Sequence, residues 1–236
     1  MKDIFGKALL DYQLGNYTHD LVTSTNISEE DILPLPYLFR SFSKMPKIEK
    51  KALQLTYGKV LDVGCGAGSH SLYLQDKGLD VKAIDSSFGA VEVAKLRGVK
   101  NVKLTPLLEE TETFDTILLL MNGTGIFQEI KQVGKYLNHL KSLLNPNGQI
   151  LIDSSDIIYM YEDEDGNHWI DANAPYYGEL EYFLQYKDEE EVPIKWLYLD
   201  FNTLYTAGQS VGLNCELIEE GEHFDYLAKL KVLPHQ

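Results

Sequence analysis

Residues 60–74 read VLDVGCGAGSHSLYL. An apolar β-branched run leads to an acid, then to three glycines at alternate positions, then to apolar residues at helical spacing. That order is a strand entering a tight turn and leaving it as a helix. Gly64, Gly66 and Gly68 remove the side chains that would keep a bulky nucleoside off the backbone, and they permit backbone angles closed to other residues. The helix that follows aims its first amides at the same place. The turn reads as the cradle of a nucleotide-like ligand.

Outward from this turn, residues 59–151 alternate short apolar runs with amphipathic stretches. KVLDVG (59–64), LDVKAID (79–85), NVKLT (101–105), FDTILLLM (114–121) and QILIDSS (149–155) read as strands. The fourth is apolar enough to be buried on both faces. Between them lie SHSLYLQDKG, closed by Gly78, and SSFGAVEVAKLRG, with Ser86 or Ser87 as N-cap and Gly98 as its stop. Ile130, Val133, Leu137, Leu140 and Leu144 mark a third helix that stops at NPNG (145–148). Strand, helix, strand at this rhythm predicts a doubly wound α/β fold, a mostly parallel sheet with right-handed crossovers and helices on both faces.

The last third breaks the rhythm. ELEYFLQYK (179–187) and VPIKWLYLD (192–200) predict an antiparallel hairpin. FNTLYTAGQSVG (201–212) predicts a helix capped by Asp200, and CELIEEG and DYLAKLKVL two closing strands, the last antiparallel in a seven-stranded sheet. Residues 1–57 read as a mostly helical cap laid over the sheet. The acidic turns EDEDG and KDEEE read as solvated, with the neighbouring aromatics Tyr159, Tyr161, Trp169, Tyr176 and Tyr177 packed on the sheet.

Ligands on open α/β sheets sit outside the carboxyl ends of the strands, where strand order reverses. The loops at 64–69, 85–87 and 121–125 then share one site. Asp85 ends its strand about twenty residues after the glycines, where a carboxylate accepts both hydroxyls of a ribose. This says ribose without saying which cofactor. The glycine spacing is more selective. A dinucleotide turn wants G-x-G-x-x-G, and here Ser69 stands where the last glycine should be. Asp62, two residues ahead of the first glycine, is awkward beside a pyrophosphate and suits a ligand with an ammonium group.

With those residues in place, VLDVGCGAG resembles motif I of the class I S-adenosylmethionine-dependent methyltransferases, and KAIDSS resembles the acidic loop after their second strand. FDTILLLMNGTGIF and LLNPNGQILIDSSD are similar to the fourth-strand motif and to the turn leading into the fifth strand. The resemblance runs from Tyr57 to Asp156 and more loosely through the closing strands. It implies a methyltransferase domain over 58–236, with 155–199 as an insertion placed where such enzymes often build substrate specificity, a candidate substrate cap. It implies that Gly64, Gly66 and Gly68 admit the amino acid part of the cofactor, that Asp62 acts near its ammonium group, and that Asp85 binds ribose. Met121 and Asn122 are then expected near the methionine moiety or the transferred methyl. Cys65 and Ser86 join the cofactor-binding set through the same loops. Where many relatives carry an acid for the adenine, TPLLEE offers Leu107, an apolar contact. The catalytic group, if one is needed, is not identified. A nicotinamide-dependent oxidoreductase and a non-catalytic cofactor-binding protein stand as alternatives.

The formal charge of -15, from 36 acids against 21 bases, repels phosphate backbones, so a nucleic-acid partner is not expected and a small-molecule substrate is. The basic stretch KMPKIEKK (44–51) reads as the outer face of a helix. No apolar run approaches membrane-spanning length, and two isolated cysteines, Cys65 and Cys215, suit a reducing compartment, so a cytoplasmic protein is expected. Cys65 reads as a small turn residue, His70 as structural, and His19, His168 and His223 as solvent-facing. No cluster has metal-ligand spacing, so no metal is expected. Tyr12 and Tyr17 are candidates to fold from the cap onto the cofactor.

Overall fold

The computed structural model describes residues 2–163, 165–168 and 175–233. In chain order these form α1 (Ile4–Gln13), β1 (Leu21–Thr25), β2 (Ser28–Leu33), α2 (Leu35–Leu38), α3 (Lys47–Leu55) and β3 (Lys59–Val63). Next come α4 (Ser69–Asp76), β4 (Asp80–Asp85), α5 (Phe88–Arg97), β5 (Val102–Leu104), β6 (Phe114–Leu119) and α6 (Val133–Ser142). The chain continues through β7 (Leu144–Ser155), β8 (Glu179–Tyr186), β9 (Glu189–Glu190), β10 (Ile194–Leu197), α7 (Phe201–Ser210), β11 (Leu213–Glu220) and β12 (Asp225–Val232).

The main sheet has seven strands in the order β11-β12-β7-β6-β3-β4-β5. The pairs β3–β4, β4–β5, β3–β6 and β6–β7 are parallel, and β12 runs antiparallel to both β7 and β11. Side-chain alternation explains why both faces are covered. Ile117 and Leu119 enter one core with α6 and α7, whereas Leu118 and Leu120 enter another with α3 and α4. A run apolar at every position from Ile117 to Leu120 needs helices on both sides, as FDTILLLM implied. The expected caps are present: Ser87 accepts from the Ala90 amide, Asp200 from the Thr203 amide, and Gly98 closes α5 with φ +100°.

Two expectations need correction. The strand read as 149–155 begins at Leu144, and NPNG is an irregularity inside β7 rather than a break before it. A Cβ on Gly148 would lie 3.0 Å from the Phe114 carbonyl oxygen, so the chain stays beside β6 while Asn147 takes φ +65°. The cap at 1–57 is helical only in parts. Between α1 and α2 lies the β1–β2 hairpin, and β1 pairs with β8 of the insertion, giving a second sheet ordered β10-β8-β1-β2 with β9 alongside β8. The hairpin lacks the glycine that signals such turns. Thr25 and Ser28 close it instead, their hydroxyls 2.9 Å apart, with the Ile27 amide donating to the Thr25 hydroxyl.

The KDEEE turn is likewise not merely solvated. Lys187 and Tyr186 both reach Asp11, Glu189 pairs with Lys7, and the Glu191 carboxylate accepts from the Ile4 amide at 2.8 Å. An acidic turn beside the amino end of a helix is electrostatically favoured. The turn therefore fastens α1 to the second sheet. The opposite side of α1 lies on α5, where a Cβ on Gly89 would fall on the backbone of Gly6. Leu9, Ala90, Leu184 and Tyr186 share the resulting core. Trp169 lies outside the described residues, and Tyr176 and Tyr177 are held by Asp200 and Asp156.

The Gly6–Gly89 crossing yields a test of this packing. Gly89→Ala should lower stability by about 1–3 kcal/mol, because the obstacle is backbone and cannot rotate away. Urea unfolding should show this loss, and hydrogen exchange should locate the increased opening in α1.

Candidate functional site

β3 sits between β4 and β6, so chain order reverses there and the loops after all three strands meet at one end of the sheet. The first loop is pinned to the second strand. The amides of Gly64 and Cys65 both donate to the Ile84 carbonyl, at 2.9 and 3.1 Å. The Gly66 amide donates to one Asp85 oxygen at 2.9 Å, and the Ser87 amide to the other at 2.8 Å. Gly64, Gly66 and Gly68 have φ of +70°, +51° and +80°. A Cβ on Gly68 would lie 2.7 Å from Val99, so that glycine packs the turn onto α5 and its neighbourhood. Around Gly66 the nearest atom to such a Cβ is Phe5 Cζ at 4.0 Å, so a side chain there would fill open space. The turn ends at α4, whose N-cap is Gly68 and offers no side-chain cap, leaving the helix start without a side-chain acceptor.

The candidate residues separate into a rim and a floor. Gly64, Ser86 and Met121 are exposed, and Gly66, Asp85 and Asn122 half-buried. Cys65, Gly68, Asp62 and Leu107 are buried beneath them. Asp62 accepts from the Ser71 hydroxyl of α4 at 2.5 Å, so its carboxylate braces the loop from below. Leu107 packs in the main core, and its carbonyl accepts from His139 at 2.8 Å. Burial pushes the Cys65 thiol far above the ordinary range, with Asp85 and Asp62 adding to the effect, so this thiol is not an activated nucleophile. Burial also raises Asp85, against the Ser87 and Gly66 amides that favour its charged form.

Beside the rim lies a cavity of about 250 Å³, lined by Tyr37, Glu49, Met121, Asn122, Asp153 and Asp225 among others. Its wall holds a buried charge network. Glu49 pairs with Arg40 through one oxygen and with His70 Nε2 through the other, the latter at 2.7 Å. Burial alone would raise Glu49, but His70 and Arg40 hold it below its ordinary value. Burial alone would lower His70, but the bond to Glu49 and the charge of Asp62 raise it. His70 is thus structural in the sense of being locked in an ion network. His19, His168 and His223 are exposed.

The sequence did not point to Glu49, Asp153 or Phe5. Glu49 lies three and four residues before Ala52 and Leu53 on the buried face of α3, and that spacing was its available signal. Phe5 is the aromatic that reaches the glycine turn. Tyr12 instead packs on Phe39, and Tyr17 donates to Asp20. Among the described residues, no group of three or more His, Cys, Asp or Glu has the arrangement to hold a metal ion. None of the helices described is long and apolar enough to cross a membrane.

A family model described as a methyltransferase domain matches residues 37–190. The chain belongs to that family. The methyltransferase is also 44% identical to the S-adenosylmethionine-dependent methyltransferase from Bacteroides fragilis solved with S-adenosyl-L-homocysteine. That match has a TM-score of 0.92 and covers 98% of this chain and 95% of the other. An S-adenosylmethionine-dependent methyltransferase from Clostridium acetobutylicum, 14% identical over 81% of this chain and 94% of its own with a TM-score of 0.58, shares the fold. Curated relatives are the ubiquinone biosynthesis O-methyltransferases of Rickettsia conorii and Pelagibacter ubique. They are 26% identical over 59% of this chain and 48% of the relative, and 29% over 49% and 50%. The chain spans about half the length of the curated relatives it matches. The class I fold expected from the motifs is therefore the one adopted, and the cofactor of the family is S-adenosylmethionine.

The buried network carries a prediction. Glu49→Ala leaves Arg40 and His70 without their shared partner and should cost about 3–5 kcal/mol. Because the folded His70 value is raised, its contribution is complete below the ordinary 6.5 and is lost as pH rises through the folded value. The Glu49 contribution has the opposite sign, present above the ordinary 4.5 and lost as pH falls through its lowered value. Urea unfolding across pH should show both limbs in the wild type and smaller ones in Glu49→Ala, where the acid limb left is that of carboxylates such as Glu110 and Glu112.

Proposed function

We propose that this chain transfers the methyl group of S-adenosylmethionine to a small-molecule acceptor bound in the cavity beside Met121. The observation that carries the reading is the Asp85 carboxylate, which joins the glycine loop through Gly66 and its own loop through Ser87 at the switch point of the sheet. The cradle suits the cofactor: open space over Gly66, a carboxylate for ribose hydroxyls at Asp85, and a helix start without a side-chain cap. Asp62, from below, supports the loop that meets the ammonium end. Cys65, Ser86 and Leu107 contribute backbone and apolar surface around the nucleoside.

When bound, the cofactor supplies an electrophilic methyl on a sulfonium whose charge disappears as transfer proceeds. Positioning alone then supplies much of the rate. This chain's part is to bind both molecules, to hold Met121 and Asn122 at the junction of cleft and cavity, and to keep water out with Phe5 and the second sheet. A cavity of about 250 Å³ favours a small acceptor over a polymer, and a charge of -15 disfavours nucleic acid. Two buried free cysteines favour a cytoplasmic setting.

Calorimetric titration with S-adenosylhomocysteine tests this reading. Binding should be micromolar, be abolished by Gly66→Arg, and weaken about 10–100-fold in Asp85→Ala as charge-assisted bonds are lost. Absence of heat at high protein concentration would sink the proposal. Binding without consumption of S-adenosylmethionine across a broad panel of metabolites would leave a non-catalytic binding protein.

A further inference from the structure

We propose that Asp153 is a positioning residue for the transfer site, its carboxylate clamping the Met121–Gly123 turn in the shape that borders cleft and cavity. The proposal rests on the reading that the cleft over Gly64 and Gly66 holds the cofactor. Asp153 lies near the end of β7, 8% exposed, and its two oxygens serve one turn. Oδ2 accepts from the Met121 amide and Oδ1 from the Gly123 amide, each at 2.9 Å.

The turn needs such a clamp. Met121 and Asn122 are consecutive non-glycine residues with φ of +67° and +60°. Left-handed backbone at side-chain-bearing residues is strained and persists only where surroundings enforce it. Gly123 follows because a Cβ there would press on Leu119 at 2.5 Å. The Asn122 side chain adds a second hold, accepting from the Ser154 hydroxyl at 3.0 Å. Met121 itself is 38% exposed and lines the cavity, so the strained backbone presents a residue that no core packing immobilises.

The clamp works in one protonation state. Ionised, Asp153 offers an acceptor to each amide; protonated, one oxygen becomes a donor facing an N–H, and that bond is lost. Burial pushes its value up to about 7, opposed by the Gly123 and Met121 amides and by His70, and reinforced by Glu49. The charged and titratable groups around it are Glu49 with its partners Arg40 and His70, the phenol of Tyr37, and Asp225 across the cavity. None of the lining residues is a lysine or arginine, and among the described contacts the carboxylate has only the two amides as donors.

The chain has four methionines, so methyl-labelled methionine gives a readable spectrum of the intact protein without any ligand. The Met121 methyl signal should move with a midpoint near the Asp153 value of about 7, while that of buried Met45 stays fixed. Asp153→Asn should abolish this titration. At about pH 8 it should also weaken S-adenosylhomocysteine about tenfold, and the wild type should lose a similar factor on acidification to about pH 6. A Met121 signal that is flat across this range in the wild type overturns the proposal even if the variant does not fold. So does an Asp153→Asn chain that binds S-adenosylhomocysteine as the wild type does. Wild-type protein that titrates at Met121 yet gives no heat with S-adenosylhomocysteine overturns the cofactor reading, and with it the positioning role, while leaving the clamp itself intact.

Discussion

The bond from the Gly66 amide to the Asp85 carboxylate couples two loops that neither strand could position alone. β3 and β4 are parallel neighbours, so their ends are set side by side by the ladder, with Val63 opposite Ile84. Past that point the ladder stops, and a glycine-rich turn has more freedom than any other segment of equal length. The Ile84 carbonyl takes up the Gly64 and Cys65 amides and Asp85 takes up Gly66, which extends the strand pairing into the turn. The Asp85 carboxylate is therefore the group that holds the glycine turn in shape. Its second oxygen, on Ser87, ties the same charge to the start of α5.

The cap depends on this arrangement in turn. Asp3 caps α1 by accepting from Gly6, and also accepts from the Ser87 hydroxyl and the Gly89 amide, so α1 docks on the loop that Asp85 has ordered. Its other side is held by the acidic turn after β8. The N-terminal hairpin and the insertion, far apart in sequence, form one sheet because each has an unpaired edge: Val22 through Thr25 pair with Gln185 through Tyr182. Neither piece is stable as an isolated ribbon. The second sheet is thus assembled from two segments, 21–33 and 179–197, that are far apart in sequence.

The central sheet was legible because periodicity carries it: the buried parallel strands are mostly apolar, and α5 between them carries its serine cap and closing glycine. The glycine turn was legible because the positive φ of Gly64, Gly66 and Gly68 demands that residue type, and Asp85 because it ends the neighbouring strand beside them. The β1–β2 hairpin was not, since hydroxyls of Thr25 and Ser28 replace the usual turn glycine and half the positions of β2 are acids. KDEEE looked solvated because its partners Lys7 and Asp11 are some 180 residues away, as the separations of 182 and 176 for Lys7–Glu189 and Asp11–Lys187 record. Glu49 looked exposed in a basic run because its neighbours in sequence are lysines while its neighbours in space are Arg40 and His70. Local pattern reports local partners. These three were fixed by distant ones.

Buried charge is treated in two ways in this molecule. Lys82 on β4 is buried with Glu110 and reaches Glu112, at 2.7 Å from each, and the ions neutralise one another. Glu49 is matched in the same way by Arg40 and His70. Asp153 is different: its donors are two neutral amides of a turn that is itself strained, and its carboxyl consequently sits near neutrality, where its neighbours have been pulled away from it. Raising a carboxyl in the folded state means that ionising it costs stability as pH rises toward that value. A fold selected for stability alone would pair this acid or replace it. That an acid of the cavity wall held only by neutral amides supports two left-handed non-glycine residues at the rim is the arrangement expected where backbone geometry, rather than packing, is the quantity being held.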